Sequence, residues 1–169
     1  WDAHVHVVGL GAGGTGCSID PEMQSHLHPI KRLQYDVYVQ SLGMDDPATA
    51  DADYVARLRT LHADSFPESR LILLPFDRSV DENGEEQLDH SAFYTPDEYV
   101  WRIAAGYDGF LPGASVHPYR KDAVERLDAA AAAGARIVKW LPNAMGIDPA
   151  NSLCDPFYRR LAEHDIPLL

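Results

Sequence analysis

Short apolar runs alternate with segments of helical periodicity along most of this chain. A short apolar run bounded by polar or turn residues is typical of a strand that is covered on both faces. Five segments have this character: "WDAHVHVVG", "RLILLPFD", "GFLPGASVHPY" with a strand over about Ala114 to His117, "ARIVKWLPN" and "IPLL". Apolar spacing predicts helices over about Pro29 to Leu42, over Asp53 to Ala63, and in "TPDEYVWRIAAGY", "DAVERLDAAAAAG" and "CDPFYRRLAEHD". Because strands and helices alternate, we expect parallel strands joined by crossover helices.

The helix ends carry their own local signals. Thr95 is a predicted N-cap, with Pro96 at the first helical position and Glu98 completing a capping box. Asp122 is predicted to cap the following helix, which Gly134 ends. The "DP" pair in "CDPFYRRLAEHD" predicts the start of the last helix.

Two stretches between these elements are predicted as connections. The first runs from Gly9 to about Ala52, begins with "GLGAGGTG" and contains a helix only in its later part. Its glycines are followed neither by a Gly-Lys-Ser/Thr ending nor directly by a helix, so they predict a mobile connection rather than a phosphate-binding loop. The second, "RSVDENGEEQLDHSAFY", is predicted to be a solvated surface loop.

Composition narrows the class of protein. The chain has 169 residues, 46% of them hydrophobic, which is enough for one domain with one substantial core. Acidic residues outnumber basic ones by 26 to 14 and no lysine–arginine cluster follows a backbone of phosphates, so we expect no nucleic-acid partner. The chain has neither a bilayer-spanning apolar run nor a signal-like series, and we expect a cytoplasmic protein without a membrane partner. Cys17 and Cys154 match no disulfide or metal spacing and are expected to be free thiols.

The first apolar run contains two histidines. Side chains alternate faces along a strand, so Asp2, His4 and His6 point to the same side and the two imidazoles converge. Neutral imidazole is the commonest metal ligand among side chains. From these residues alone, a metal site and a structural histidine pair are both open.

Polar residues at the strand ends favour one of the two parallel architectures. Asp77, His117 and Lys139 lie at or near the carboxyl ends of their predicted strands, which form the chemical rim of a (β/α)8 TIM-type barrel. Such a barrel takes about 250 residues, whereas this chain reaches only a fifth strand. We therefore expect a single domain that covers about strands 1–5 of an α/β barrel, in a chain that is longer than these residues.

The chain resembles the amidohydrolase superfamily of metal-dependent hydrolases, in particular the amidohydrolase-related branch with a long first loop. The resemblance rests on "DAHVH" in the first strand, the lysine in "IVKWLP" and the helix leading into "IPLL". It implies that His4 and His6 bind one or two divalent metal ions, normally Zn²⁺. It also implies further ligands and a general base at the ends of strands five, six and eight, beyond Leu169. The implied activity is hydrolysis of an amide, ester or lactone bond of a small molecule by a metal-activated water.

The other polar residues of the predicted strands are considered for a functional and for a structural role. Burial at the rim disfavours a charged ammonium at Lys139, and a neutral amine there reacts with carbon dioxide to give a carbamate that bridges two metals in similar proteins. Unmodified, Lys139 would hold a substrate carboxylate. His117 either contacts substrate or is satisfied by backbone groups, and Asp77 leans towards a structural role. Asp2 is expected to support the histidines rather than act as the general base.

Two alternative functions remain open at this stage. A branch of the same superfamily uses the same metal to decarboxylate unsaturated or aromatic acids, and its first-strand motif is the same here. A non-catalytic half-barrel that pairs with another chain is the other alternative. The sequence also leaves open whether the protein forms a homo-oligomer.

Overall fold

A computed structural model describes the fold of residues 1–169. The strands are β1 (Asp2–His6), β2 (Ser18–Ile19), β3 (Leu71–Leu74), β4 (Phe93–Tyr94) and β5 (Phe110–Pro112). The helices are α1 (Pro29–Leu42), α2 (Ala50–Ser65), α3 (Asp97–Ala105), α4 (Ala123–Ala132), α5 (Pro142–Met145) and α6 (Asp155–His164). Short 3₁₀ helices cover Ala12–Gly14, Pro21–Gln24, Leu88–His90 and Ser152–Cys154.

The main sheet is parallel and its order follows the chain. β1 pairs with β3 and β3 pairs with β5. Single parallel bridges extend this sheet from Ala114 to Val138 and from Val138 to Leu168. The predicted alternation of parallel strands and helices is confirmed, but the fourth and fifth predicted strands are reduced to these bridges. The sheet is open and does not close into a barrel in this structure, so the fold observed is the coarser α/β arrangement.

The third strand lies earlier in the chain than predicted. β5 ends before the segment Ala114 to His117, where the sequence places the strand. The Ser115 amide donates to Asp97 Oδ1 at 3.0 Å, and the His117 amide donates to Asp77 Oδ2 at 2.7 Å. Because these amides bond to carboxylates, they do not pair with a neighbouring strand, and the predicted boundaries were wrong.

The sheet is covered on both faces, as the continuous apolar run in β3 predicts. Leu71 and Leu73 pack into an apolar cluster with α2 and α3. Ile72 and Leu74 point to the opposite face and are also buried. A second large cluster packs α4 and α6 around Val138. These two clusters hold the helices against the sheet, so the carboxyl ends of the strands are presented at one edge.

The helix bodies agree with the sequence better than their predicted caps do. α1 has the predicted bounds, and α2 extends beyond the predicted helix at both ends. α3 begins one residue after Pro96, and the Thr95 hydroxyl donates to the Val7 carbonyl at 2.8 Å instead of capping the helix. Asp122 occupies the N-cap position of α4, but its carboxylate accepts a hydrogen bond from Arg126 at 2.8 Å. The predicted capping box is therefore wrong, whereas Asp122 has the predicted N-cap position but not the capping hydrogen bond.

The two predicted connections pair with each other. β2, in the glycine-rich connection, forms an antiparallel pair with β4, in the polar connection, and Ile19 lies opposite Phe93. Val80, in the predicted solvated loop, is only 2% exposed. Both expectations, a mobile connection and a solvated loop, were too simple, because alternation within two-residue strands is too short to read from a sequence.

Both cysteines are buried free thiols, as predicted. Cys17 belongs to the apolar cluster that includes β3, and Cys154 belongs to the one around α4 and α6. No helix combines the length and the apolar character needed to cross a membrane.

Candidate functional site

The two histidines of β1 meet at the carboxyl end of the strand. Their Nε2 atoms are 3.2 Å apart, and the ring centroids are 5.0 Å apart with the planes at 66°. His4 is exposed and His6 is half-buried. The Asp2 carboxylate accepts a hydrogen bond from the His4 amide at 3.0 Å, so it contacts the backbone of the pair rather than an imidazole. The structure therefore brings together the side chains that strand alternation places on one face.

The environment of His6 keeps its imidazole neutral. Burial first, and then electrostatic interaction with His4 and Lys139, lowers the pKa of His6 to about 4, while the Leu74 carbonyl acts in the opposite direction. The His6 ring stacks on Phe76, with centroids 4.3 Å apart and planes 12° apart. Its Nδ1 atom is buried and has no hydrogen-bond partner. A neutral, stacked imidazole is in the protonation state that a metal ligand requires.

The spacing of the pair fits two ligands of one metal ion. Two imidazole nitrogens bound to a tetrahedral zinc ion are about 3.3 Å apart, given Zn–N distances of about 2.0–2.1 Å. The observed 3.2 Å agrees with this separation and also with an N–H···N hydrogen bond within a structural pair. No group of three or more histidine, cysteine, aspartate or glutamate side chains is arranged to hold a metal ion. A catalytic zinc site uses three protein ligands, so the pair on its own is short of such a set.

Lys139 lies near the histidine pair but does not contact it. Its charge is close enough to contribute to the lowered pKa of His6. The Lys139 amide donates to the Ala114 carbonyl at 2.8 Å, and its carbonyl accepts from the Ser115 hydroxyl at 3.0 Å. Lys139 is half-buried and belongs to none of the ion pairs of the chain. Its role as a carbamate bridge or as a carboxylate-binding residue stays a prediction.

Asp77 forms a buried ion pair with Arg120. The guanidinium donates from Nε and Nη2 to the two carboxylate oxygens at 2.8 and 2.7 Å. The amides of Arg78 and His117 also donate to this carboxylate, each at 2.7 Å. Arg120 reaches Glu86 as well, at 2.8 Å. Since every oxygen of Asp77 is engaged, its interactions join the loops that follow β3 and β5, in line with the structural role that the sequence favours.

Both ring nitrogens of His117 are occupied by backbone groups. Nε2 donates to the Met145 carbonyl at 3.0 Å, and Nδ1 accepts from the Tyr119 amide at 3.2 Å. The residue is fully buried, and burial lowers its pKa against the opposing effects of the Met145 carbonyl and Asp77. Neither nitrogen is free to contact a ligand in this arrangement. The substrate contact expected for His117 is therefore not part of the site described here.

Asp51 is a residue that sequence reasoning missed. It is fully buried in the first turn of α2 and accepts hydrogen bonds from the amides of Leu10 and Gly11 at 2.6 and 3.2 Å, and from the Thr15 hydroxyl. A Cβ added to Gly9 would lie 2.4 Å from its carboxylate, which explains the glycine there. The connection after β1 is thus tied to α2. An aspartate in the first turn of a helix is so common that the sequence has no signal for this role.

Asp97 is a second missed carboxylate. Burial raises its pKa well above the usual range, an effect opposed by the Ser115 amide and reinforced by the charges of Asp77 and Glu98. Arg126 acts weakly in the opposite direction. Asp97 accepts a hydrogen bond from the Ser115 amide, and the Ser115 hydroxyl donates to the Lys139 carbonyl. Asp97 therefore helps to position the backbone at Lys139.

A row of aromatic rings in contact with one another begins at His6. Beyond His6 and Phe76, the Phe93 ring lies 5.8 Å from that of Phe76 and is tilted by 33°. The Tyr38 ring of α1 meets Phe93 edge-on, with centroids 5.8 Å apart and planes at 70°. The row of rings therefore extends from β1 to the helix in the long connection.

Comparison with known proteins identifies the family of the chain. The sequence profile of the amidohydrolase family matches residues 1–169, which is the whole chain. The protein belongs to the amidohydrolase family, and the resemblance drawn from "DAHVH" and the strand order is confirmed. Members of this superfamily are hydrolases or related enzymes and are typically metal-dependent. Neither the curated proteins nor the solved structures include a significant match.

Proposed function

We propose that this protein is a metal-dependent hydrolase that cleaves an amide, ester or lactone bond of a small molecule. The observation that supports it most is the 3.2 Å separation of the two Nε2 atoms of His4 and His6 at the end of β1, in a chain of the amidohydrolase family. The closed (β/α)8 barrel of such enzymes is part of the same proposal.

The residues of the chain have distinct tasks in this proposal. His4 and His6 hold a zinc ion, and Phe76 fixes the plane of the His6 ring by stacking. A zinc ion bound there would supply a water with a pKa lowered to about 7 and would polarise a substrate carbonyl. Lys139 would provide either a carbamate oxygen as a further metal ligand or a positive charge for a substrate carboxylate.

The backbone of β1 keeps the imidazoles in place. Val5 lies opposite Leu73 in the parallel ladder, and the Val7 amide donates to the Leu74 carbonyl at 2.9 Å. The ladder bonds on both sides of His6 fix its backbone, and stacking on Phe76 restrains its ring. Since positioned ligands lose less entropy when a metal binds, this support favours a stable site.

Hydrolysis of simple substrates tests the proposal. Purified protein loaded with zinc is assayed with activated aryl esters, anilides and lactones, before and after removal of the metal by a chelator. We expect turnover that the chelator abolishes, that zinc restores, and that His4→Ala lowers at least about 100-fold, while His26→Ala has no effect. Turnover that survives both chelation and His4→Ala would contradict the proposal, and release of carbon dioxide from an acid substrate would favour the decarboxylase.

Partners and location remain predictions. A small-molecule substrate, a cytoplasmic location, and the absence of nucleic-acid and membrane partners are expected from the sequence, and the oligomeric state is open.

A further inference from the structure

One side of α1 exposes a row of apolar side chains. Ile30, Leu33 and Val37 recur at helical spacing and are 76%, 65% and 56% exposed. Leu27, which precedes the helix, is exposed as well. In the other α-helices, Leu61 of α2 is the only large apolar residue that is exposed. Single exposed apolar residues are common, whereas a group of them marks an interaction surface.

The opposite side of α1 is apolar too, and the chain covers only that side. Val39 and Leu42 pack against the apolar cluster that includes β3. Tyr35 lines a small cavity together with these two residues. No residue of α1 is fully buried. Because a helix that is apolar on both sides is typical of one with neighbours on both sides, the exposed row lacks its second neighbour.

The exposed side of α1 carries no charge, although 24% of the residues of the chain are charged. The three charged residues of the helix are half-buried and paired within the chain. The Lys31 ammonium donates to Asp20 and Glu22 at 2.8 and 2.6 Å, and the Arg32 guanidinium donates to Asp36 at 3.0 Å. The exposed residues beside the apolar row are Pro29, Gln34, Tyr38, Gln40 and Ser41.

We propose that this exposed side of α1 is a homodimer interface, across which α1 of a second copy lies antiparallel. The two-fold axis passes between Leu33 and Gln34, so Ile30 of one copy lies opposite Val37 of the partner subunit. The antiparallel orientation also places the opposed dipoles of the two helices side by side. Since one helix from each copy buries a small area, the dimer is reversible and its population depends on concentration.

The absence of charge is the property that contact with a second copy requires. A two-fold interface uses the same patch of both subunits, so a residue near the axis meets its own copy. A charged side chain there would face an identical charge, which is repulsive. Gln34 is compatible with this position, because its amide has both donors and an acceptor and pairs with the same group of the other copy.

The charges of the chain disfavour other classes of partner at this surface. A nucleic acid or an anionic membrane is bound through exposed lysine and arginine, and the exposed side of α1 has neither. The formal net charge of -12 opposes both. A basic protein would require free carboxylates there, whereas Asp36, the only acidic residue of α1, is paired with Arg32.

Sedimentation equilibrium over a range of protein concentrations tests the inference without any turnover. We expect the mass of the purified protein to rise from that of a monomer to that of a dimer with concentration. Leu33→Glu places a charge beside the axis and should weaken association at least about tenfold. Leu61→Glu is the matched control, since Leu61 is exposed on α2, and it should leave association unchanged. A monomer at every concentration, or equal association of Leu33→Glu and the unaltered protein, would overturn the inference.

Cross-linking through introduced cysteines tests the orientation and covers the case in which Leu33→Glu does not fold. Cys17 and Cys154 are buried, so they do not compete with an exposed thiol during mild oxidation. Gln34→Cys, next to the axis, should form a disulfide-linked dimer. Ser41→Cys should not, because a rise of about 1.5 Å per residue separates its two copies by about 20 Å in the antiparallel pair. Failure of Gln34→Cys to cross-link, or equal cross-linking of both variants, would overturn the proposed arrangement.

Discussion

The carboxylate of Asp77 and the guanidinium of Arg120 face each other with two hydrogen bonds, at 2.8 and 2.7 Å, and both side chains are nearly buried. Asp77 follows β3 and Arg120 follows β5, so one ion pair joins two loops at the carboxyl edge of the sheet. Phe76, whose ring stacks on His6, immediately precedes Asp77, so the ion pair holds in place the segment that lies against the histidine pair.

Asp77→Ala should therefore destabilise the protein strongly. Removing Asp77 leaves the buried Arg120 guanidinium with only the more exposed Glu86 as a partner and leaves the amides of Arg78 and His117 without their acceptor. Breaking such a buried pair costs about 3–5 kcal/mol. Urea unfolding of the variant and of Asp122→Ala measures this, with the exposed Asp122–Arg126 pair as the control, expected to lose less than about 1 kcal/mol. An equal loss in the free energy of unfolding for the two variants would show that the buried Asp77–Arg120 pair contributes no more to stability than an exposed pair.

Asp51→Ala should loosen the connection after β1. The substitution removes the acceptor for the amides of Leu10 and Gly11, and a hydrogen bond to a charged group contributes about 1.5–3 kcal/mol. Hydrogen exchange should show faster exchange at these two amides. Asp53→Ala, in the same turn of α2 but exposed, is the matched control. Unchanged exchange at Leu10 and Gly11 in Asp51→Ala would contradict the role of the carboxylate.

The raised pKa of Asp97 determines how its contribution to the stability of the fold changes with pH. Its pKa is raised by burial in the folded protein, so between the unfolded and the folded pKa the folded state binds the extra proton. The contribution of Asp97 to stability is then fully present below the unfolded value, near 3.9, and is lost as the pH rises through the folded pKa.

Replacement by asparagine should remove this loss. Asp97→Asn is expected to raise the melting temperature at pH 8 more than at pH 4, because the amide carries no charge to desolvate and still accepts from Ser115. Glu98→Gln, which alters the exposed neighbouring carboxylate, should change neither. A melting temperature of Asp97→Asn that falls relative to the unaltered protein at pH 8 would contradict the sign.

The alternation of strands and helices could be predicted from the sequence, because the apolar pattern within each segment indicates its secondary structure. β3 is a continuous apolar run, and α1 has regular apolar spacing, so local patterns were enough. The bounds of β5 and the start of α3 were not readable in this way. They depend on Asp97, Asp77 and Val7, which bond to backbone or hydroxyl groups distant in the chain.

The residues of the candidate site likewise fall into those that the sequence predicted and those that it did not. His4 and His6 were found because strand alternation brings them together and because the opening motif resembles that of a known family. Asp51 and Asp97 were missed, since neither has a local signal. An aspartate in a first helical turn acquires such a role only when a distant segment folds against it, which is the connection after β1 for Asp51 and the Ser115 amide for Asp97.

The predicted carbamate at Lys139 distinguishes a site with two metal ions from a site with one. If the amine forms a carbamate, by bonding to carbon dioxide with loss of a proton, Lys139→Ala should lower the metal content from two ions per chain to one. If it binds a substrate carboxylate instead, the metal content should stay at one while the KM rises and kcat changes little. Elemental analysis and steady-state kinetics on Lys139→Ala distinguish these outcomes. A variant with unchanged metal content, KM and kcat would exclude both roles.

The metal content of histidine variants tests most directly the central claim that His4 and His6 bind a zinc ion. The chain contains a second His-x-His pair, His26 and His28, which is exposed in the long connection and serves as an internal control. The measurement is elemental analysis of zinc in three purified proteins: the unaltered chain, the double variant His4→Ala/His6→Ala and the double variant His26→Ala/His28→Ala. We predict that the unaltered protein and the control pair keep at least one zinc ion per chain, whereas His4→Ala/His6→Ala loses it while its circular dichroism remains that of a folded protein. Equal zinc content in all three proteins would contradict the assignment and leave His4 and His6 as a hydrogen-bonded structural pair.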